Sequence, residues 1–241
     1  MVRKLFPMCA RCGKRICSPP IKVDEKPPSI DEAPPFCPMR VMPEVIEKAT
    51  SEYDKPEVKD FARLASIQEF ECYEHLPEGL RTKIPRVEEL IQFARKCGYK
   101  RLGMAFCGGL ANEARILTDI LENKGFEVVS VMCKVGRTPK ESIGIKPEEK
   151  IFGPDRLEIM CSPITQAEVL NNAKVDLAIM LGLCIGHDTL FIKYCRVPMT
   201  VIAVKDRVFG HNPLAALYLS NSFYYGRLMT KTKRRADKAK F

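Results

Sequence analysis

Eleven cysteines but only three histidines stand in the 241-residue chain, and spacing divides the cysteines into two constellations. The first is Cys9, Cys12, Cys17 and Cys37, all near the N-terminus. A C-x2-C knuckle lets two thiolates approach one metal from a tight turn, and the remaining ligands come from further along the chain. There is one such knuckle, so the pattern is not that of a zinc ribbon. Nor is it the ferredoxin run, although Cys37-Pro38 shares its ending. Arg3, Lys4, Arg11, Lys14 and Arg15 crowd these sulfurs, favour thiolates and offset the charge of a metal–tetrathiolate site. Zinc and an iron–sulfur cluster fit this arm equally. The plain alternative is a flexible arm carrying unrelated thiols, and four cysteines around a connector with no core speak against it.

The second constellation repeats one grammar. In "MAFCGGLANEA", "EIMCSPITQAE" and "LGLCIGHDTLF", Cys107, Cys161 and Cys184 each close an apolar run just before a helix start, and Cys133 ends a fourth such run in "VSVMCKVG". Any one alone would read as a small buried hydrophobe. Three at equivalent corners predict a second metal centre held by Cys107, Cys161 and Cys184, with Cys133 as fourth ligand or substrate-side thiol. All-thiolate ligation there favours an iron–sulfur cluster.

His187 and Asp188 follow Cys184, and His211 stands at the same expected rim; these three are the candidate proton carriers. Lys205, Asp206 and Arg207 follow the last apolar run and could clamp an anionic substrate, or be merely a charged turn. Gly108, Gly109 and Asn212 complete the expected substrate side. The glycines belong to no nucleotide fingerprint, because G-x-G-x-x-G and the P-loop pattern are absent. Cys72, Cys97 and Cys195 fall at helical positions and read as structural.

These residues need a scaffold that gathers distant corners. Apolar runs at 101–107, 127–135, 157–161, 175–184 and 199–204 alternate with helical patterns, which predicts an α/β fold. The expectation is a doubly wound, mostly parallel sheet of about four to five strands. In such a sheet the strands' C-terminal ends share one edge, where ligands bind. Ahead of it, "SPPIKVDEKPPSIDEAPPFCP" cannot be helix, 43–76 looks helical, and "PRVEELIQFARKCGY" has an apolar face of Val87, Leu90, Ile91 and Ala94. Thr165 and Glu168 read as a capping box, and Asn212 as the cap of the last helix. The expected organisation is a cysteine-rich arm with its proline-rich connector at 1–42, a helical lead-in and α/β domain at 43–226, and a basic, disordered tail at 227–241.

Composition narrows the partners. At 46% hydrophobic the chain can bury a substantial core. No run approaches a membrane span, and the start lacks a signal-peptide core, so a cytoplasmic protein is expected. Of the net charge of +9, the tail from Arg227 carries seven Lys/Arg and one Asp, hence +6, leaving +3 for the body. That body gives no nucleic-acid signature, so only the tail could serve such a partner. A small-molecule substrate or a redox partner is expected instead. The reaction classes open are metal-dependent lyase, desulfuration or sulfur transfer; the non-enzymatic alternative is a metal carrier, redox sensor or electron-transfer protein.

Taken together, the "CARC" arm, "CGGLANEA", "CSPITQAEVLN", "GLCIGHDTLF" and "VKDRVFGHNPLAALY" resemble the predicted metal-binding proteins grouped as domain of unknown function 1847. The resemblance runs over nearly the whole chain except the basic tail. It implies metal binding and anaerobic prokaryotic hosts, and it implies no reaction.

Overall fold

The structure is a computed structural model that describes residues 6–229. Arg3, Lys4 and most of the basic tail lie outside the described residues. The chain divides after Glu71 into two compact units.

The first unit is short helices and irregular chain. The proline-rich connector is extended except for a single helical turn, Ile30–Glu32, where Ser29 and Glu32 exchange capping bonds. Prolines then open each helix: α1 (Pro38–Val41), α2 (Pro43–Ser51) and α3 (Pro56–Glu71). Proline's fixed φ suits the first helical turn, whose N–H groups have no partner in the helix.

The second unit begins with an antiparallel hairpin, β1 (Tyr73–Leu76) and β2 (Gly79–Thr82). The helical reading of 43–76 is thereby corrected at its end: Pro77 and Glu78 make a two-residue turn, and Gly79 follows at φ +130°. Next comes α4 (Arg86–Lys96), which buries the expected Leu90, Ile91 and Ala94. It stops at a glycine in the left-handed region, Gly98 (φ +71°), while the Tyr99 N–H returns to the Ala94 carbonyl.

The rest alternates: β3 (Arg101–Phe106), α5 (Ala111–Asn123), β4 (Glu127–Met132), α6 (Pro163–Asn172), β5 (Leu177–Leu181), α7 (His187–Tyr194), β6 (Met199–Ala203) and α8 (Leu214–Tyr218). The four strands pair in parallel in the order β4-β3-β5-β6. The run 157–161 is no strand of this sheet, contrary to the sequence reading. It forms one antiparallel bridge, Ile159 with Pro139.

Side-chain alternation along the strands explains why helices lie on both faces. Leu102, Met104, Leu177, Ile179 and Leu181 point to one side and pack with α4 and α5. Ala105, Ala178 and Met180 point to the other, with Ala167 and Leu170 of α6 and Phe191 of α7. Each fully buried large apolar side chain contributes about 1.5–3 kcal/mol, which is why β5, buried at every residue, anchors the unit.

The sheet's ends are pinned by polar groups. At the start of β5, the Asp176 carboxylate accepts the Lys100 and Arg101 N–H groups at 2.7 and 2.8 Å, and these bonds pull its carboxyl below the ordinary range. On the outer side of β6, Arg86 donates to the Val201 carbonyl at 3.0 Å and the Thr200 hydroxyl at 2.9 Å. Among the described residues no helix is long and apolar enough to cross a membrane.

Candidate functional site

The order in which successive strands are added switches sides between β3 and β5, so the crevice opens where these two strands end. Hydrogen bonding continues just past them: Cys107 N–H to the Leu181 carbonyl at 3.1 Å, Gly182 N–H to Ala203 at 2.7 Å, and Lys205 N–H to Leu183 at 3.0 Å. Cys107, Gly182 and Lys205 are therefore fixed by backbone. Gly182 has φ +69°, and a Cβ there would stand 2.0 Å from Leu110 Cδ1. Only glycine lets the chain turn this close to the helix-entry loop.

Cys133 follows β4 directly and is almost wholly buried. Its N–H donates to the Phe106 carbonyl at 2.9 Å, and its sulfur accepts the Gly108 N–H at 3.3 Å. Cys161 reaches the edge by another route. The loop after Cys133 folds back on itself: Lys134 donates to the Ile159 carbonyl at 2.6 Å, Lys140 pairs with buried Glu158, and Met160 N–H meets Thr138 at 2.9 Å. Ser162 N–H then donates to the Cys133 carbonyl at 2.7 Å. Cys161 is thus delivered beside Cys133 by a loop bridge, not by a strand end. α6 starts at Pro163, and no side-chain cap forms; Glu168 pairs with Arg196 instead of completing a capping box.

The three thiols form a row, with Cys133 hydrogen-bonded to Cys107 on one side and Cys161 on the other. Their protons distribute accordingly. Cys161 is held down to about 3, first by the bond from Cys133, then by His187, with Lys134 adding its charge against the cost of burial. Cys107 is held down to about 5, again first by Cys133, then by the Gly109 N–H and Lys205, also against burial. Cys133 is pushed far up, because both neighbours ionise at its expense and it is buried. The row thus favours the proton on Cys133 and the thiolate form on Cys107 and Cys161. His187 is raised, chiefly by Cys161, so the imidazolium form is favoured. By contrast, burial pushes the Cys97 and Cys195 thiols up, as suits structural residues.

The other expected residues divide. Arg207 donates to the Cys184 sulfur at 3.0 Å, so Cys184 meets a guanidinium while Cys133 takes the central place. A Cβ on Gly109 would lie 3.6 Å from Lys205 Nζ and 3.9 Å from the Cys107 sulfur, which brings Lys205 to the row. Asp188 accepts the Gly186 and Thr189 N–H groups at 3.0 and 2.7 Å, inside the first turn of α7. His211, at φ +66°, accepts the Asp206 N–H on Nδ1 at 3.2 Å, while Asp206 Oδ1 takes the Val208 and Phe209 N–H groups. These two build a turn behind Arg207. Asn212 is exposed, and its N–H returns to Phe209 at 3.0 Å; α8 starts at Leu214.

Two participants had no signal in the sequence. Lys134 is one. Gln166 is the other: fully buried on α6, its Nε2 donates to the Phe106 and Val131 carbonyls at 3.1 and 2.7 Å. It ties together the ends of β3 and β4 from which Cys107 and Cys133 emerge, and its Oε1 has no partner.

As donors, three thiols and an imidazole suit soft metals. Their bonds run in series, however, and among the described residues no group of three or more Cys, His, Asp or Glu is arranged as a metal site.

The family described as Protein of unknown function (DUF1847) matches residues 37–202. The chain is also 37% identical over 221 residues to Uncharacterized protein MJ0455 of Methanocaldococcus jannaschii, covering 92% of this chain and 97% of that one. The chain belongs to the DUF1847 family.

Proposed function

We propose that this member of the DUF1847 family carries out sulfur transfer on a small molecule, with Cys161 as the nucleophile. What supports it is the contact of Cys133 with Cys107 on one side and Cys161 on the other, which lowers both of these thiols while raising Cys133. The thiolate is the reactive form of cysteine, and Cys161 is hydrogen-bonded to His187, whose affinity for a proton is raised by that contact.

The Cys161 thiolate attacks the terminal sulfane sulfur of a small persulfide or polysulfide. A sulfur–sulfur bond forms at Cys161 while the donor's own sulfur–sulfur bond breaks. The electron pair leaves on the donor's inner sulfur, and His187 protonates it. The moved sulfur keeps its oxidation state, so no oxidant is consumed. Lys205 and Arg207 attract the anionic group of the donor. Asp188 orders the turn that carries His187, and His211 with Asp206 orders the turn that carries Arg207.

The test is to incubate anaerobically reduced protein with polysulfide and map added sulfur by peptide mass spectrometry. One sulfur atom should appear on Cys161, be released by cyanide as thiocyanate, and be absent from Cys161→Ser. No added sulfur on the wild-type protein would end this reading.

The same contacts favour a second reading. Cys107, Cys133 and Cys161 are soft donors that interact in series, with His187 against Cys161. A soft metal or iron–sulfur cluster bound there would displace the Cys133 proton and supply Lewis-acid or electron-transfer chemistry. Metal and sulfide analysis of Cys107→Ser and Cys161→Ser separates the two: this reading requires metal to fall in both.

A further inference from the structure

Cys133 is the thiol of the row that a molecule from outside cannot reach. It is only 2% exposed, whereas Cys107 and Cys161 are partly buried and pack against the apolar cluster that contains it. A buried thiol beside a reactive one is either a small core hydrophobe or a second nucleophile. Three features favour the nucleophile. The Cys133 sulfur accepts the Gly108 N–H at 3.3 Å, a bond that stabilises a thiolate and that a core filler does not need. The Ser162 N–H on the Cys133 carbonyl at 2.7 Å leaves a single hydrogen bond between the backbones of Cys133 and Cys161. A disulfide requires closeness of this kind, with Cα atoms about 4.4–6.8 Å apart. Cys107, hydrogen-bonded to Cys133 on the other flank, gives the Cys133 proton a place to go.

Direction of approach decides which bond Cys133 would break. In thiol exchange the nucleophile enters in line, opposite the group that leaves. A donor reaches Cys161 from the open crevice, so the sulfur it deposits lies on the open side. Cys133 lies on the buried side. Its attack therefore falls on the Cys161 sulfur itself, and the deposited sulfur is the leaving group.

We propose that Cys133 is the resolving thiol of Cys161: it displaces the sulfur group that Cys161 has taken up and closes a Cys133–Cys161 disulfide. When that group is a sulfane sulfur, the product is hydrogen sulfide. The cargo rests on the sulfur-transfer reading; the resolving step rests on the packing of the two thiols. The bond between the Cys161 sulfur and the outer sulfur breaks, and its electron pair leaves with the outer sulfur as hydrosulfide. A bond forms between the Cys133 and Cys161 sulfurs, and the Cys133 proton passes to Cys107. The two cysteines together lose two electrons, and the sulfane sulfur gains them. An external dithiol then attacks Cys161, the accessible sulfur of the disulfide. Cys133 leaves and recovers its proton from Cys107, and the second thiol of the reductant expels Cys161. The net reaction turns a sulfane sulfur and a dithiol into sulfide and a disulfide.

The experiment loads the reduced full chain with polysulfide at about pH 9, where ordinary thiols ionise as well. The protein is desalted without reductant and followed in time by non-reducing peptide mass spectrometry. Cys9 and Cys17 of the arm are exposed and also take up sulfur, and the peptide map keeps them apart from Cys161. In the wild-type protein the sulfur on Cys161 should give way to a Cys133–Cys161 disulfide, with about one more sulfide released per chain than from Cys133→Ser. That variant should keep its sulfur on Cys161 until dithiothreitol is added; Cys133→Ala serves if it does not fold. A second arm replaces polysulfide with hydroxyethyl disulfide, and the mixed disulfide on Cys161 should again pass to Cys133–Cys161. That disulfide in the second arm, with no sulfur ever found on Cys161 in the first, supports the resolving role and removes the sulfur-transfer reading alone. Sulfur that stays on Cys161 in the wild-type protein, moves to Cys107, or leaves equally from Cys133→Ser overturns the proposal, as does absence of the disulfide from both arms.

Discussion

Cys133 and Cys161 are joined twice, thiol to thiol and through the Ser162 N–H on the Cys133 carbonyl, although a long polar loop separates them in the chain. The double link makes the ionisation of Cys161 a property of the fold. A free cysteine loses about tenfold in alkylation rate for each pH unit below its pKa of about 8.5. Cys161 is lowered, so its thiolate is present above that lowered value and its alkylation should stay nearly flat from pH 8 to pH 5. His187→Asn removes a partner whose hydrogen bond lowers Cys161, so the inflection should move upward. Peptide-resolved iodoacetamide labelling across pH reads both; an unchanged profile in His187→Asn would mean that the pair is not coupled.

Lys205 acts on a different sulfur. Its charge and hydrogen bond help to lower Cys107. Lys205→Met should therefore raise the pH at which Cys107 becomes reactive and leave the Cys161 profile where it was. Equal shifts at both cysteines would point to a general loosening of the edge.

Gln166 links two strand ends through one amide group. Replacing it with Ala removes two buried hydrogen bonds and the packing of the side chain, at a cost of about 2–3 kcal/mol in urea unfolding. Gln166→Glu keeps the shape but offers acceptors to acceptors, and it should be at least as damaging at neutral pH. A Glu variant as stable as wild type would show that the two carbonyls are satisfied otherwise.

At Gly182 the backbone and the space both forbid a side chain. Gly182→Ala should cost about 2–3 kcal/mol through Leu110 displacement and an unfavourable φ. The urea midpoint should fall with unchanged slope, and Cys107 labelling should change because Leu110 closes the same loop.

Much of this arrangement could be read before any coordinates. Cys107, Cys133 and Cys184 follow runs whose buried, β-rich character identifies strands, and a parallel sheet must bring such ends to one edge. Cys161 misled, because "LEIMC" has a strand's composition but pairs only through the Pro139–Ile159 bridge. Its position depends on Lys134 and on the Lys140–Glu158 pair, charged residues that look like any solvated loop. Gln166 was equally invisible, since helical periodicity does not reveal that a polar residue turns inward to two carbonyls. The hairpin at 73–82 was lost because apolar spacing continues from α3 into Tyr73 and Leu76.

Arg86 has a consequence for how copies of this chain meet. An outer strand presents free carbonyl and N–H groups that can template another strand, the usual route to edge-to-edge aggregation. By occupying the Val201 carbonyl and the Thr200 hydroxyl, the guanidinium leaves β6 a poor template and sets a charge where an incoming strand would lie. By filling that part of the edge, this side chain on α4 makes pairing between β6 of two copies less favourable.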